Sequence, residues 1–212
     1  MLKIQNVSVH YGRVVAVDHV SLRLAAGEIG IIRGEFGGGK SSLLKAIFGN
    51  VRHSGDLYID GRNVRTPYPK LMAKCGVALM HENAEIFKHL TVRENIAVAQ
   101  PQPPDAAHLT RTLAQFPGLI KHLDSPAFML SGGQRQMLAF IRAVASRPKL
   151  LLLDEPNAGI AADVTEAIRK IIKGLANMGA AVLITEQTPA LTATATHHWN
   201  MLNGKILTGN TL

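Results

Sequence analysis

The sequence predicts an α/β protein: a parallel sheet core carrying a glycine-rich loop, an antiparallel β part near the N-terminal end, and a helical insertion. Three stretches predict it. Residues 29–42, IGIIRGEFGGGKSS, pass from an apolar strand through glycines into a helical pattern. Residues 150–156, LLLLDEP, suit a strand buried on both faces of a parallel sheet, with two carboxylates at its end. The first 24 residues hold two runs of alternating apolar positions around a turn, which suits an antiparallel pair.

Composition sets outer limits. The 212 residues suit one domain, are 47% hydrophobic and 18% charged, and carry enough apolar side chains for a packed core and no compositional sign of disorder. A single cysteine, Cys75, excludes an intrachain disulfide and points to a reducing compartment. The opening residues lack a signal peptide's apolar core, and no apolar run is long enough to cross a bilayer. The expectation is a cytosolic protein unless a partner holds it at a membrane. The net charge of +8 fits three readings: nucleic acid, an anionic membrane surface, or a plain basic exterior. Lysines and arginines are scattered, without a run of four or interleaved aromatics, so a nucleic-acid partner is not expected.

Along the chain, residues 2–9 and 14–24 are strands, with His10-Tyr11-Gly12-Arg13 turning between them. Tyr11 is either an ordinary strand-end tyrosine or a ring for stacking a base, and the residues leave both open. Next, Gly34 opens Gly-x-x-x-x-Gly-Lys-Ser, the phosphate-binding P-loop template, in the strand–loop–helix setting it requires. Gly34, Gly37, Gly38 and Gly39 let the loop curl so that backbone N–H groups converge on one anion. The helix opened by Lys40-Ser41-Ser42 adds the positive end of its dipole. Lys40 would lie against the β- and γ-phosphates, and Ser41 would offer its hydroxyl to Mg²⁺.

Ser54-Gly55-Asp56 reads as a turn, 57–59 as a short strand and Asp60-Gly61 as a hairpin turn, so antiparallel strands flank the loop unit. Residues 74–80 read as a buried strand, followed by polar His81-Glu82-Asn83. Thr91 caps a helix, and the QPQPP run at 100–104 is a surface link. Residues 109–116 and 119–123 are short helical patterns separated by Pro117-Gly118, which makes 83–146 a mostly helical insertion. LSGGQ at 130–134 opens a helix with Ser131 as N-cap and Met137, Leu138, Ile141, Val144 and Ala145 on one face, and Arg147-Pro148 ends it. Taken alone, that pentapeptide reads as a capped helix with a flexible entry. Its place just before LLLLDEP shifts the weight to an anion site.

Asp154 and Glu155 end the leucine strand where ligands collect in open α/β sheets. Asp154 would hold Mg²⁺, and Glu155 would orient and polarise an attacking water. An amphipathic helix at 163–178 and a buried strand at 180–184 follow, with Thr185-Glu186-Gln187 at the strand's end. His197 and His198 are strand neighbours that point to opposite faces, so they are not expected to share a metal. Asn203-Gly204 turns a closing hairpin.

These motifs in this order resemble the ATPase subunit of ABC transporters, over essentially the whole chain. GEFGGGKS resembles the Walker A motif, LSGGQ the ABC signature, and LLLLDEP the Walker B strand with its catalytic glutamate. The segments His81-Glu82-Asn83, 87–92, Phe116-Pro117 and Thr185-Glu186-Gln187 are similar to the ATPases of branched-chain amino acid and urea importers. The resemblance implies a P-loop NTPase with a RecA-like parallel sheet. Residues 1–82 and 147–212 would form the nucleotide core, and 83–146 the helical subdomain.

It further implies ATP and Mg²⁺ as ligands. Tyr11 would stack on adenine, Lys40, Glu155 and Gln187 would act on the γ-phosphate, and Glu82 would sit at the Q-loop position near the metal. Ser131, Gly132, Gly133 and Gln134 would cap the nucleotide of a second, head-to-tail cassette, either a copy or a paralogue. Membrane-spanning permease subunits would dock near Glu82 and 87–92, placing the chain on the cytoplasmic face of the membrane. Phe36, Arg33, Ala161 and Gln187 depart from the commoner residues of the family. Two other classes fit the motifs: a soluble ABC ATPase outside transport, and a weakly catalytic cassette paired with an active paralogue.

Overall fold

The computed structural model describes residues 1–82, 85–98 and 105–207. Asn83 and the QPQPP run at 100–104 lie outside the described residues. The chain opens with β1 (Leu2–Tyr11) and β2 (Val14–Leu24), antiparallel from Leu2 opposite Leu24 to Tyr11 opposite Val14. Then come β3 (Ile29–Arg33), α1 (Lys40–Phe48), β4 (Ser54–Ile59), β5 (Arg62–Asn63), α2 (Pro69–Lys74) and β6 (Val77–Met80). The next helices are α3 (Val92–Val98), α4 (Ala106–Ala114) and α5 (Pro117–Ile120), followed by a 3-10 turn at Ala127–Met129 and α6 (Gly132–Val144); a second 3-10 turn, Thr192–Thr194, precedes the last two strands. The final part is β7 (Leu150–Asp154), α7 (Ala162–Asn177), β8 (Ala181–Glu186), β9 (His197–Leu202) and β10 (Lys205–Leu207).

Two sheets result. One runs β2-β1-β4-β5 and is antiparallel; the other runs β10-β9-β3-β8-β7-β6, with only its β10 edge antiparallel. The leucine strand shows why both faces of the second sheet are apolar. Leu150 and Leu152 enter a core shared with Leu43 and Leu44 of α1 and with Ile4, Val9 and Leu57 of the antiparallel sheet. Leu151 and Leu153 point the other way, into a core with Leu138 and Ile141 of α6, Ile168 and Ile172 of α7, and Val92 and Ile96 of α3. All four are fully buried, since successive strand side chains alternate and each face is covered.

Three expectations are corrected. Ser54-Gly55-Asp56 is not a turn but the start of β4, with Asp56 opposite Gln5 and Ser54 opposite Ser8. The glycine marks a bulge, where Gly55 has φ +83° and a Cβ would lie 2.3 Å from the Asn6 carbonyl oxygen. Residues 74–80 are not one strand: Lys74 closes α2, and β6 begins at Val77. That short helix starts on Pro69, a first-turn proline with no long apolar repeat behind it to signal a helix. For the same reason Pro117 and Gly118 do not separate two helices but open α5.

Other boundaries agree with the reading. Thr91 and Glu94 cap α3 reciprocally: Thr91 Oγ1 accepts the Glu94 N–H at 3.1 Å, and Glu94 accepts the Thr91 N–H at 2.8 Å. Ser131 caps α6 with the same reciprocal arrangement through Gln134.

Candidate active site

β3 ends at Arg33 and α1 starts at Lys40, and the loop between them folds tightly under its own helix. Gly39 has φ +99°, and a Cβ there would lie 2.1 Å from the Ala16 carbonyl oxygen of β2, so only glycine fits. Lys40 is 5% exposed. Its Nζ donates back to the carbonyls of Gly34 at 2.8 Å and Glu35 at 2.9 Å, which ties both ends of the loop together. No acidic residue occupies the first turn of α1, so the positive end of that helix is left for an anion.

The parallel register of β7 and β8 sets Asp154 beside Thr185. Asp154 Oδ1 accepts the Thr185 hydroxyl at 2.6 Å and the Ser41 hydroxyl at 3.0 Å, in a nearly inaccessible position. The sequence places Thr185 at the end of its strand within Thr185-Glu186-Gln187 but assigns it no part in the site. The signal available was a hydroxyl residue at the carboxyl end of the apolar strand neighbouring LLLLD.

Glu155 leaves the strand with φ +48°, a conformation a non-glycine residue holds only when its surroundings fix it. Its N–H donates to the Thr185 carbonyl at 3.2 Å, and its Oε2 accepts the Gln187 backbone N–H at 3.1 Å. The other oxygen, Oε1, is buried without a hydrogen bond and lies 3.8 Å from Lys40 Nζ. Burial pushes this carboxyl above the ordinary glutamate range. The Gln187 N–H and Lys40 pull against that push, and the Asp154 and Glu82 carboxylates add to it. Glu186 faces away, fully buried, accepting the Leu191 N–H at 2.6 Å, so Gln187 is the neighbour that turns to the site.

A cavity of about 230 Å³ gathers these parts. Gly37, Gly38, Gly39, Lys40, Ser41 and Ser42 line it together with Glu82, Glu155 and Gln187, and so do Phe36 of the loop itself and Ala16 of β2, which belongs to none of the motifs. Gly34 and Asp154 join through their hydrogen bonds to Lys40 and Ser41. Two groups of expected residues are not on its wall. Tyr11 stands at the hairpin end of β1, opposite Val14 and 46% exposed. Ser131 and Gly132 are exposed at the head of α6, with Gly133 and Gln134 half-buried behind them. The Gln134 side chain is engaged in the cap, its Oε1 accepting the Ser131 N–H at 2.9 Å.

A family model described as "ABC transporter" matches residues 17–158. The high-affinity branched-chain amino acid transport ATP-binding protein BraG of Pseudomonas aeruginosa is 36% identical over 192 residues, covering 88% of this chain and 82% of that protein. The glutamine transport ATP-binding protein GlnQ of Escherichia coli is 32% identical, covering 87% and 80%. The sulfate/thiosulfate import ATP-binding protein CysA 2 of Shewanella oneidensis is 34% identical over 82% of this chain, which spans 51% of that protein. Among solved structures, a nucleotide-free ATP-binding cassette from an ABC transporter superposes with TM-score 0.82 and 25% identity, covering 98% of this chain and 90% of that one. A dimeric post-hydrolysis cassette bound to ADP and Pi shares the fold, with TM-score 0.84, 22% identity and coverage of 98% and 97%.

Proposed function

The chain belongs to the ABC transporter family, and on that premise we propose that it is the ATP-hydrolysing subunit of an importer, working as one half of a head-to-tail cassette pair. One observation carries the proposal. Lys40, Ser41, Asp154, Glu155 and Gln187 converge on a single small cavity, while Ser131 and Gly132 stand exposed outside it. The site is half of a set, and a second cassette would complete it.

The residues fit ATP with Mg²⁺. The Ser41 hydroxyl and the Asp154 carboxylate are hard oxygen donors already in contact, the set a small divalent cation takes beside a nucleotide. Those two would hold the metal, with Glu82 on the cavity wall nearby. When bound, the metal would neutralise charge on the phosphate oxygens. Loop N–H groups and Lys40 would bind the phosphates, and Tyr11 would stack on the base. Glu155 would accept a proton as water attacks the γ-phosphorus. The new P–O bond to water forms as the bridging P–O bond to the leaving ADP breaks. A buried carboxylate whose Oε1 lacks a hydrogen-bond donor is suited to receive that proton. Gln187 would contact the γ-phosphate as a neutral donor.

No helix of the described residues is long and apolar enough to cross a membrane. We place the chain at the cytoplasmic face through permease subunits. A groove of about 760 Å³ between β6 and α6, lined by Phe48, Lys74, His81, Glu85 and Arg142, offers them a seat. Arg142 stacks over the Phe87 ring at 5.1 Å, which fixes the 87–92 edge beside it. The likeness to BraG, together with Glu82 and Gln187, favours branched-chain amino acids or a similar small polar solute as cargo. Phosphate release by the purified protein, alone and with its permease, tests the hydrolysis. The expected result is release well above that of Glu155→Gln, and equal release by the two proteins would overturn the proposal.

A further inference from the structure

Gln136 lies in the second turn of α6, 5% exposed, and had no part in the site as assembled from motifs. Its Nε2 donates to the backbone carbonyl of Glu155 at 3.0 Å, a buried bond that joins the helical insertion to the end of β7. The first turn of the same helix lies along the turn that follows Glu155. A Cβ on Gly133 would sit 3.7 Å from the Gly159 carbonyl oxygen and 3.9 Å from Ile160 Cγ2.

We infer that Gln136 is a positioning residue for hydrolysis: it holds Glu155 in its left-handed conformation and ties that conformation to the helix whose head carries Ser131. Every polar group of Glu155 except Oε1 has a partner. Its N–H is held by Thr185, its Oε2 by the Gln187 N–H, and its carbonyl by Gln136 and by the Ala158 N–H at 3.1 Å. The Thr185, Gln187 and Ala158 contacts come from the carboxyl end of β8 and from the turn itself. Gln136 alone among these donors comes from the helical insertion. A shift of α6 along its axis, as when its head engages a neighbouring cassette, would pull on the Glu155 carbonyl and re-aim the carboxylate. The residue touches neither substrate nor the reacting atoms, and its effect is on aim.

The inference rests on Glu155 acting on water, as proposed above. Its test is the split between binding and turnover in Gln136→Met, which keeps side-chain volume and removes the donor. The Glu155 carbonyl retains the Ala158 N–H, so no buried acceptor is orphaned and folding is expected to hold. Losing one buried hydrogen bond that aims a catalytic group should lower kcat about tenfold. The Kd for ATP should stay within about twofold, since no phosphate contact changes. Gln136→Glu is the second variant: it turns an acceptor toward the carbonyl and should lower kcat at least as far, again with Kd unchanged. Undiminished kcat in a folded variant, or a parallel loss of ATP binding, would overturn the inference. Wild-type protein that released no more phosphate than Glu155→Gln would instead overturn the hydrolysis on which it rests.

Discussion

At the scale of single residues, Lys40, Asp154 and Glu155 are buried charged groups, and each is tied to a named neighbour. Lys40→Met removes the ammonium that faces the cavity and closes the loop. It should reduce ATP affinity by more than tenfold, read by fluorescent-nucleotide titration. Glu155 carries a pH signature of definite sign. Burial raises its folded pKa, so its protonated form favours the fold. That stabilisation is present below the unfolded pKa and is lost as pH rises through the raised folded value. Above that value the ionised group costs stability, and Glu155→Gln should melt a few degrees higher than wild type at pH 8. The gap should close as pH falls below the ordinary carboxylate range, which a pH series of thermal melts would read. If Glu155 is the base proposed above, wild-type turnover should fall with acid sooner than an ordinary glutamate would give, because the proposed base is needed ionised. Lys40, Ser41, Asp154 and Glu155 were legible in the sequence because spacing and flanking elements define their motifs. Thr185 was not, because its role comes from the register of β7 against β8, and no spacing along the chain encodes that.

At the scale of elements, α3 and the edge that precedes it depend on one amide. Asn95 is fully buried; its Oδ1 accepts the Phe87 N–H at 2.8 Å, and its Nδ2 donates to the carbonyls of Phe87 at 2.9 Å, Leu90 at 3.2 Å and Thr91 at 3.0 Å. Asn95→Leu leaves the Phe87 N–H without its partner, while the three carbonyls keep the backbone N–H groups of Leu90, Ala127 and residue 95, and should cost about 2 kcal/mol in denaturant unfolding. It should also loosen the edge proposed to meet the permease, with ATP affinity little changed. Gly39→Ala acts in the opposite direction: its Cβ would collide with Ala16, so nucleotide binding should be lost even if the protein folds. The long elements were readable from periodicity, as with α6, α7 and the buried run of β7. The short ones were not. α2 and α5 each begin on a proline and are too brief for a repeat, and the start of β4 passes for a turn because a bulge and a turn both use glycine.

At the scale of the whole molecule, two apolar cores back one parallel sheet, and the phosphate loop and the carboxylates meet at the carboxyl ends of its strands. The LSGGQ helix belongs to the same chain, yet its exposed head does not line the chain's own cavity. That separation could not be read from spacing, since Ser131 lies close to Glu155 along the chain. The central claim is therefore a shared site between two cassettes. Light scattering on Glu155→Gln after size exclusion, with and without ATP and Mg²⁺, tests it most directly. The shared site predicts a doubling of mass that requires both ATP and Mg²⁺, with the doubling lost in a Ser131→Arg variant that still binds nucleotide. Protein that binds ATP with Mg²⁺ and keeps its monomer mass, alone and with its permease, would contradict it.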